Sequence, residues 1–450
     1  MKRNRFGINL DEGIPLFSQK DFELLYVPFF NDEAARLRQW TEEGEKPLLL
    51  GGQIGSGKST LIRCIFNDNT PKPDIEIRFD TETLNKDAGD FWGITLAEFI
   101  KAALKHHIDL SFSKLPEELG GFAADNWNSL LKGISPDTFS MEPFDQKKKL
   151  HRKIADNREY IRKTVSETGK RLQTKLKRPL FIFASGVDKF NQSSPAFFDL
   201  EEILAALTAF KTLFEVNVIH LFSRSGTTFH SIERLLIPTA RPNDVNEMLT
   251  KRMGVYAQTV RQPLETLTHW SGGNPRQAVR LLSHFQTARK SKKRNIAETL
   301  AAAVHETTGD FFAYSPRPSL ELMTVTRKTN KIETSLLTLP GDPETAARAL
   351  YGNWILLEKP INAGAWKAAV NPIVKAAFDT ELHPEDPEMK MLSEYALQYG
   401  ISREGLDFNV IDEGTGKKKS GDRIQYYFVP LHARNNSNRC FDRDVRRFWH

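Results

Sequence analysis

"LLLGGQIGSGKSTLIRCIF", residues 48–66, decides the fold. Three leucines run into four glycines within seven residues, followed by a lysine, two hydroxyls and an apolar run. Pro47–Leu50 reads as a short buried strand and Thr60–Phe66 as a helix that ends at "NDNTPKP". Between them lies a loop with unusual backbone freedom beside one fixed positive charge. Glycines reach positive φ without strain and leave no Cβ in the way, so successive N–H groups can turn inward around an anion. The helix starting near Lys58 adds the positive end of its dipole.

Gly52, Gly55, Gly57, Lys58 and Ser59 match G-x-x-x-x-G-K-S, the P-loop pattern. The loop therefore predicts a nucleotide cradle made of Gly52, Gln53, Ile54, Gly55, Ser56, Gly57, Lys58, Ser59 and Thr60. ATP and Mg²⁺ are the expected ligands. Lys58 would bridge the β- and γ-phosphates from a solvated position, and Ser59 would ligate Mg²⁺.

The chain has 450 residues, 40% hydrophobic and 27% charged, enough for two to four domains. No apolar run approaches the ~18 residues that span a bilayer, so no membrane partner is expected. The start, "MKRNRFGINLDEG", lacks the apolar stretch of a signal peptide. Two cysteines, Cys64 and Cys440, suit a reducing cytoplasm and exclude a disulfide scaffold. Cys64 reads as core. The net charge of +6 permits nucleic acid as a partner without demanding it.

Outward from the loop, Ala35, Leu37 and Trp40 form one face of a helix, with Gly44 near its end. "DIEIRFD" (74–80) alternates as a strand, and 93–108 reads as a helix. Residues 109–143 look irregular. Residues 145–179 form one long helix or a broken pair, with Leu150, Ile154, Ile161, Val165, Leu172 and Leu176 inward. Its lysine run, 147–149, reads as a solvated face. Residues 179–190 hold a buried strand and a loop, 200–215 a helix, and 217–226 another buried strand. Alternating strands and helices imply an α/β fold with a parallel sheet covered on both faces. From 241 the pattern is helical: a helix capped by Asn243 and closed at Gly254, then "SGGNPRQAVRLLSHF" with Asn274 as cap and Pro275 at the first position, then 296–309. The lone histidine pair, His106 and His107, and His450 have no metal-type partners at suitable spacing.

This order resembles the AAA+ group of P-loop ATPases, especially its origin-recognition-like and STAND branches, over about residues 19–310. The resemblance implies a P-loop sheet, a helical lid and ATP hydrolysis within an oligomer or on a partner protein. It assigns "HLFSRSG" to a first sensor, with Ser223 and Arg224 at a strand end. It assigns "SGGNPRQAVRLL" to a second, with Arg276 facing the γ-phosphate. Ser185 stands where the group places its magnesium-side aspartate, which leaves Asp188 as the expected catalytic and metal-side acid and predicts slow basal hydrolysis. Asp80 and Glu82 are alternative acids. Residues 313–382 resemble a winged-helix module, with "ALYGNWILLEK" and "AWKAAVNPIV" as a hairpin, and the alternative is a helical-plus-hairpin protein-interaction piece. The expected domains are an N-terminal linker (1–46), an ATPase core (47–240), a lid (241–312), the winged helix (313–382) and a basic C-terminal subdomain (383–450). In that subdomain basic residues, Lys417–Lys419 among them, interleave with aromatics.

Overall fold

The computed structural model describes residue 16 and residues 19–68, 70–79, 88–111, 144–189, 195–221, 232–254, 257, 260–289, 295–314, 349–358 and 367–374. It divides into two units, one from Phe30 to Ile237 without Gly55–Gly57, the other holding those three residues with the chain up to Phe29 and from Pro238 on.

The first unit is built on five parallel strands: β1 (Leu48–Gly52), β2 (Ile75–Arg78), β3 (Phe181–Ser185), β4 (Lys211–Asn217) and β5 (Glu233–Ile237). Their spatial order is β2-β3-β4-β1-β5. Every residue of β1, β3 and β4 is buried, as expected for parallel strands covered on both faces. Alternate residues separate those faces. On one, Phe181 and Phe183 meet Phe66, and Phe181 also meets Trp40, all edge-to-face. These partners come from α2 (Asn31–Glu43) and α3 (Lys58–Asn67). On the other, Leu49, Ile182 and Phe214 join a core with Phe99, Ile154 and Leu204. That side is covered by α4 (Ala88–Lys105), α5 (Phe144–Asp156), α6 (Arg158–Leu176) and α7 (Pro195–Leu207).

Several expectations shift by small amounts. The helix before the P-loop turns Ala34 inward with Leu37 and Trp40, and leaves Ala35 exposed. That helix packs into the sheet-bearing unit, which begins at Phe30. The 145–179 stretch is a broken pair, interrupted at Asn157. Cys64 is half-buried rather than core.

One misreading matters more. Residues 200–215 are not one helix, and 218–221 do not form the expected strand, whose remainder from 222 lies outside the described residues. The helix stops at Leu207, β4 occupies Lys211–Asn217, and a single 3₁₀ turn follows at Val218–Leu221. In "LEEILAALTAFKTLFEVNVIHLF" apolar residues outnumber polar ones about two to one along the whole length, and such a run gives no period to separate helix from strand. The boundary is made by Thr208 and Thr212, whose hydroxyls bond the carbonyls of Ala205 and Leu207.

The second unit contains α1 (Gln19–Leu25), α8 (Pro242–Met253), α9 (Arg261–Trp270), α10 (Pro275–Arg289) and α11 (Ile296–Tyr314). A hairpin joins them, with β6 (Ile355–Glu358) antiparallel to β7 (Lys367–Val370). These are two segments expected to pair, though the turn between them lies outside the described residues. Helix α8 is preceded by Arg241, with Pro242 in its first turn, and not by the expected Asn243 cap. Helix α11 opens with a reciprocal cap: Glu298 N–H donates to Asn295 Oδ1 at 2.8 Å, and Asn295 N–H to Glu298 Oε2 at 3.0 Å. Gln277 and Asn371 exchange two amide hydrogen bonds, 3.0 and 2.9 Å, in a buried pair.

Candidate functional site

The loop after β1 lies at the carboxyl end of a central parallel strand, where open α/β sheets bind ligands. Helix α3 starts at Lys58, as the sequence predicts. Gly55 and Gly57 have φ of +83° and +97°, the positive-φ backbone the sequence predicts for this loop. The chain has a P-loop α/β fold.

Lys58 is 3% exposed. The expected solvated lysine is thus corrected to a buried one. Its ammonium donates to the carbonyls of Gly52 and Gln53, both at 3.0 Å. Asp188 Oδ2 lies 3.2 Å away. The three donors of an ammonium group are matched by these three acceptors. Asp188 comes from a 3₁₀ turn, Val187–Lys189, directly after β3. Lys189 approaches the same Asp188 oxygen at 3.8 Å.

The residue that sequence reading missed is Glu215. It sits in β4, paired in register with Leu50 of β1, and is 4% exposed. The hydroxyl of Ser59 donates to its Oε1. Burial, then the nearby Asp188 carboxylate, pushes the Glu215 carboxyl up to about 7, against the pull of Lys58 and the Ser59 hydroxyl. Two carboxylates and one lysine thus share a buried cluster. A signal was available: a glutamate inside an apolar, β-branched and aromatic segment, "TLFEVN", is an unusual thing to bury.

Asn217, at the end of β4, pairs in register with Gly52. It is fully buried, its Oδ1 accepts from Ile219 N–H at 3.2 Å, and its Nδ2 has no hydrogen-bond partner among the described residues. Ser56 Oγ is likewise buried and without a hydrogen-bond partner among the described residues. Orphaned buried donors are uncommon, and hydroxyl and amide donors in a P-loop setting match phosphate oxygens. Ser59, Glu215 and Asp188 offer hard oxygen atoms of the kind Mg²⁺ takes. Among the described residues no group of three or more His, Cys, Asp or Glu could hold a metal ion. A bound Mg²⁺ would therefore draw its remaining ligands from phosphate and water.

Ser185 ends β3, buried, its hydroxyl 3.4 Å from the carbonyl of Ile77. Ser223, Arg224, Asp80 and Glu82 lie outside the described residues, as do Lys417–Lys419. The polar residue that does occupy the end of β4 is Asn217.

In the second unit, Asn274 caps α10: its Oδ1 accepts from Gln277 N–H at 3.1 Å. Pro275 follows, then Arg276, whose backbone N–H donates to the Gly55 carbonyl at 3.2 Å. A Cβ at Gly55 would meet Arg276 Cβ at 2.6 Å and Asn274 Oδ1 at 2.8 Å. The structure thus groups the tip of the P-loop with the start of the arginine-bearing helix.

No protein-family model and no curated protein matches the chain. Solved structures are similar to it. A Walker-type ATPase of Pyrococcus abyssi is 13% identical, with a TM-score of 0.43, covering 82% of this chain and 99% of its own. Cdc6p from Pyrobaculum aerophilum is 11% identical, with a TM-score of 0.35, covering 85% of this chain and 99% of its own. The Orc1 protein of Aeropyrum pernix, solved in complex with DNA, is 14% identical, with a TM-score of 0.36, covering 79% of this chain and 95% of its own. Likeness at this level speaks to fold alone. The chemistry rests on the residues described above.

Proposed function

We propose that this chain is an ATP-binding P-loop ATPase that works as a nucleotide-driven switch, in an oligomer or on a partner protein. The observation that carries the reading is the buried Lys58, held by two loop carbonyls and Asp188 at the base of a loop with two positive-φ glycines. A phosphate chain entering the loop would find the lysine, inward N–H groups and the unpartnered Ser56 hydroxyl. When bound, Mg²⁺ would neutralise phosphate charge and fix the β–γ geometry. Asp188 holds Lys58 in place until the phosphate competes for it. Arg276 would read the terminal phosphate, because a guanidinium on a helix of its own distinguishes three phosphates from two by differential binding.

Arg276→Ala should weaken ATP affinity about ten-fold, the loss of one charge-assisted contact, and leave ADP affinity within about two-fold. Equilibrium titration with both nucleotides measures this. Equal losses would assign Arg276 a structural role and remove the switch.

A second reading, a DNA-binding initiator or regulator, is favoured by one observation. Residues 145–178, most of them in α5 and α6, carry roughly three Lys or Arg for every Asp or Glu. Lys149, Arg152, Lys163, Lys170 and Lys175 are exposed. If this surface binds duplex DNA, log affinity should fall against log salt with a slope of about −0.9 per neutralised phosphate. Reversing Lys163 and Lys170 to Glu should flatten that slope. Absence of binding at low salt, with ATP and with ADP, would leave the protein-directed switch.

A further inference from the structure

We propose that Glu215, from within β4, is the metal-side carboxylate of this nucleotide site, filling from the neighbouring strand the place that Ser185 leaves without a carboxylate at the end of β3. The inference rests on the nucleotide-binding reading above.

Three described side chains compete for the role. Ser185 is neutral, and its only described polar neighbour is the Ile77 carbonyl on β2, one strand further from the P-loop. Asp188 is charged, but it faces two ammonium groups, Lys58 at 3.2 Å and Lys189 at 3.8 Å. The two ammonium groups beside its Oδ2 repel a further cation. Asp188 is an anchor for Lys58. Glu215 alone contacts the hydroxyl that the P-loop pattern reserves for the metal, that of Ser59.

The sheet explains how the exchange works. β4 lies between β3 and β1, so its side chains start one strand nearer the loop. Residues 181, 183 and 185 of β3 and 211, 213, 215 and 217 of β4 alternate to the α2–α3 face. The contacts of Phe181 and Phe183 with Phe66, and of Lys211 Nζ with the Thr41 carbonyl, fix that assignment. Glu215 therefore shares a face with Ser59 at the start of α3. It sits level with Leu50, two residues before the end of β1. An acid set that deep needs a longer side chain than one at the strand end, and glutamate supplies the extra methylene.

Charge points the same way. Asp188 and Glu215 are both about 4% exposed, and Lys58 is the buried cation between them. Asp188 already engages that lysine, so the Glu215 carboxylate is left over. A buried carboxylate whose one hydrogen-bond donor among the described residues is a hydroxyl is costly, and a divalent cation beside Ser59 is the partner that removes the excess.

The test separates metal from nucleotide. Affinity for a fluorescent ATP analogue is measured in EDTA and in saturating Mg²⁺, and Mn²⁺ binding in the presence of ADP is followed by electron paramagnetic resonance. Glu215→Gln keeps the volume and removes the charge. It should keep the EDTA affinity within about two-fold while losing the Mg²⁺ enhancement and weakening Mn²⁺ about ten-fold or more. Ser59→Ala, a second route to the same contact, should lose the same enhancement, and the double variant should lose little beyond either single one. Ser185→Ala should leave the enhancement intact. Wild-type metal dependence in a folded Glu215→Gln, or its loss in Ser185→Ala, overturns the assignment. Failure of the wild type to bind nucleotide in either condition would instead overturn the nucleotide reading, and this inference with it.

Discussion

Lys58→Ala is expected to lose nucleotide affinity by about two orders of magnitude and native stability by about 3–5 kcal/mol. Both effects follow from one environment. The ammonium group is 3% exposed and bonds two carbonyls and Asp188. Its removal leaves Asp188 and Glu215 buried with no buried cation beside them, and breaking a buried pair by deleting one partner is strongly destabilising. A lysine in open solvent would give only the first effect. The two are separable: Lys58→Ala with Asp188→Asn should recover much of the stability and none of the binding. Thermal or urea unfolding, with nucleotide titration of the same proteins, checks both. A single Lys58→Ala as stable as wild type would mean that the buried ion pair is absent in solution.

Gly273→Ala is expected to destabilise the helical unit by about 3 kcal/mol or more. The residue has φ +77°, and a Cβ there would lie 2.4 Å from the Ala240 carbonyl oxygen and 3.0 Å from Thr239 Cβ. The first of these is backbone, which cannot rotate aside. Ala240 N–H also donates to the Gly273 carbonyl at 2.8 Å, so the two segments are held against each other. The turn leads directly into Asn274, Pro275 and Arg276, so ATP–ADP discrimination should fall with stability. Gly309, inside α11, has nothing within 4 Å of its Cβ position. Gly309→Ala should therefore stabilise by about 0.5–1 kcal/mol. Chemical denaturation of the two variants should give opposite signs. Equal behaviour would mean that the 273 turn is not locked.

How far the sequence reached depended on local signals. The P-loop declared itself through glycines that only a sharp, positive-φ loop needs, and β1 and α3 followed from the residues on either side. "SGGNPR" declared its helix through a cap, Asn274, and a proline at the first position, and the cap bond is there. β2, α4 and the broken α5–α6 pair had clear periods. The segment from 200 to 221 had none. Read as a helix through 215, it placed Glu215 at a helix end and moved the strand end to Ser223 and Arg224. The buried acid beside Ser59 and the unpartnered Asn217 amide were lost together, because both depend on where β4 begins. No local propensity encodes the Lys58–Asp188 contact, which joins residues 130 apart through strand order. Sequence alone gave Asp188 as the surviving acid but not its partner.

The central claim is that the Gly52–Ser59 loop binds a nucleoside triphosphate, and calorimetric titration of ATP with Mg²⁺ into purified protein tests it most directly. The account predicts saturable binding by wild type, retained in Asp188→Asn and abolished in the stability-compensated Lys58→Ala/Asp188→Asn variant. Equal ATP affinity in wild type and in that folded double variant would contradict it.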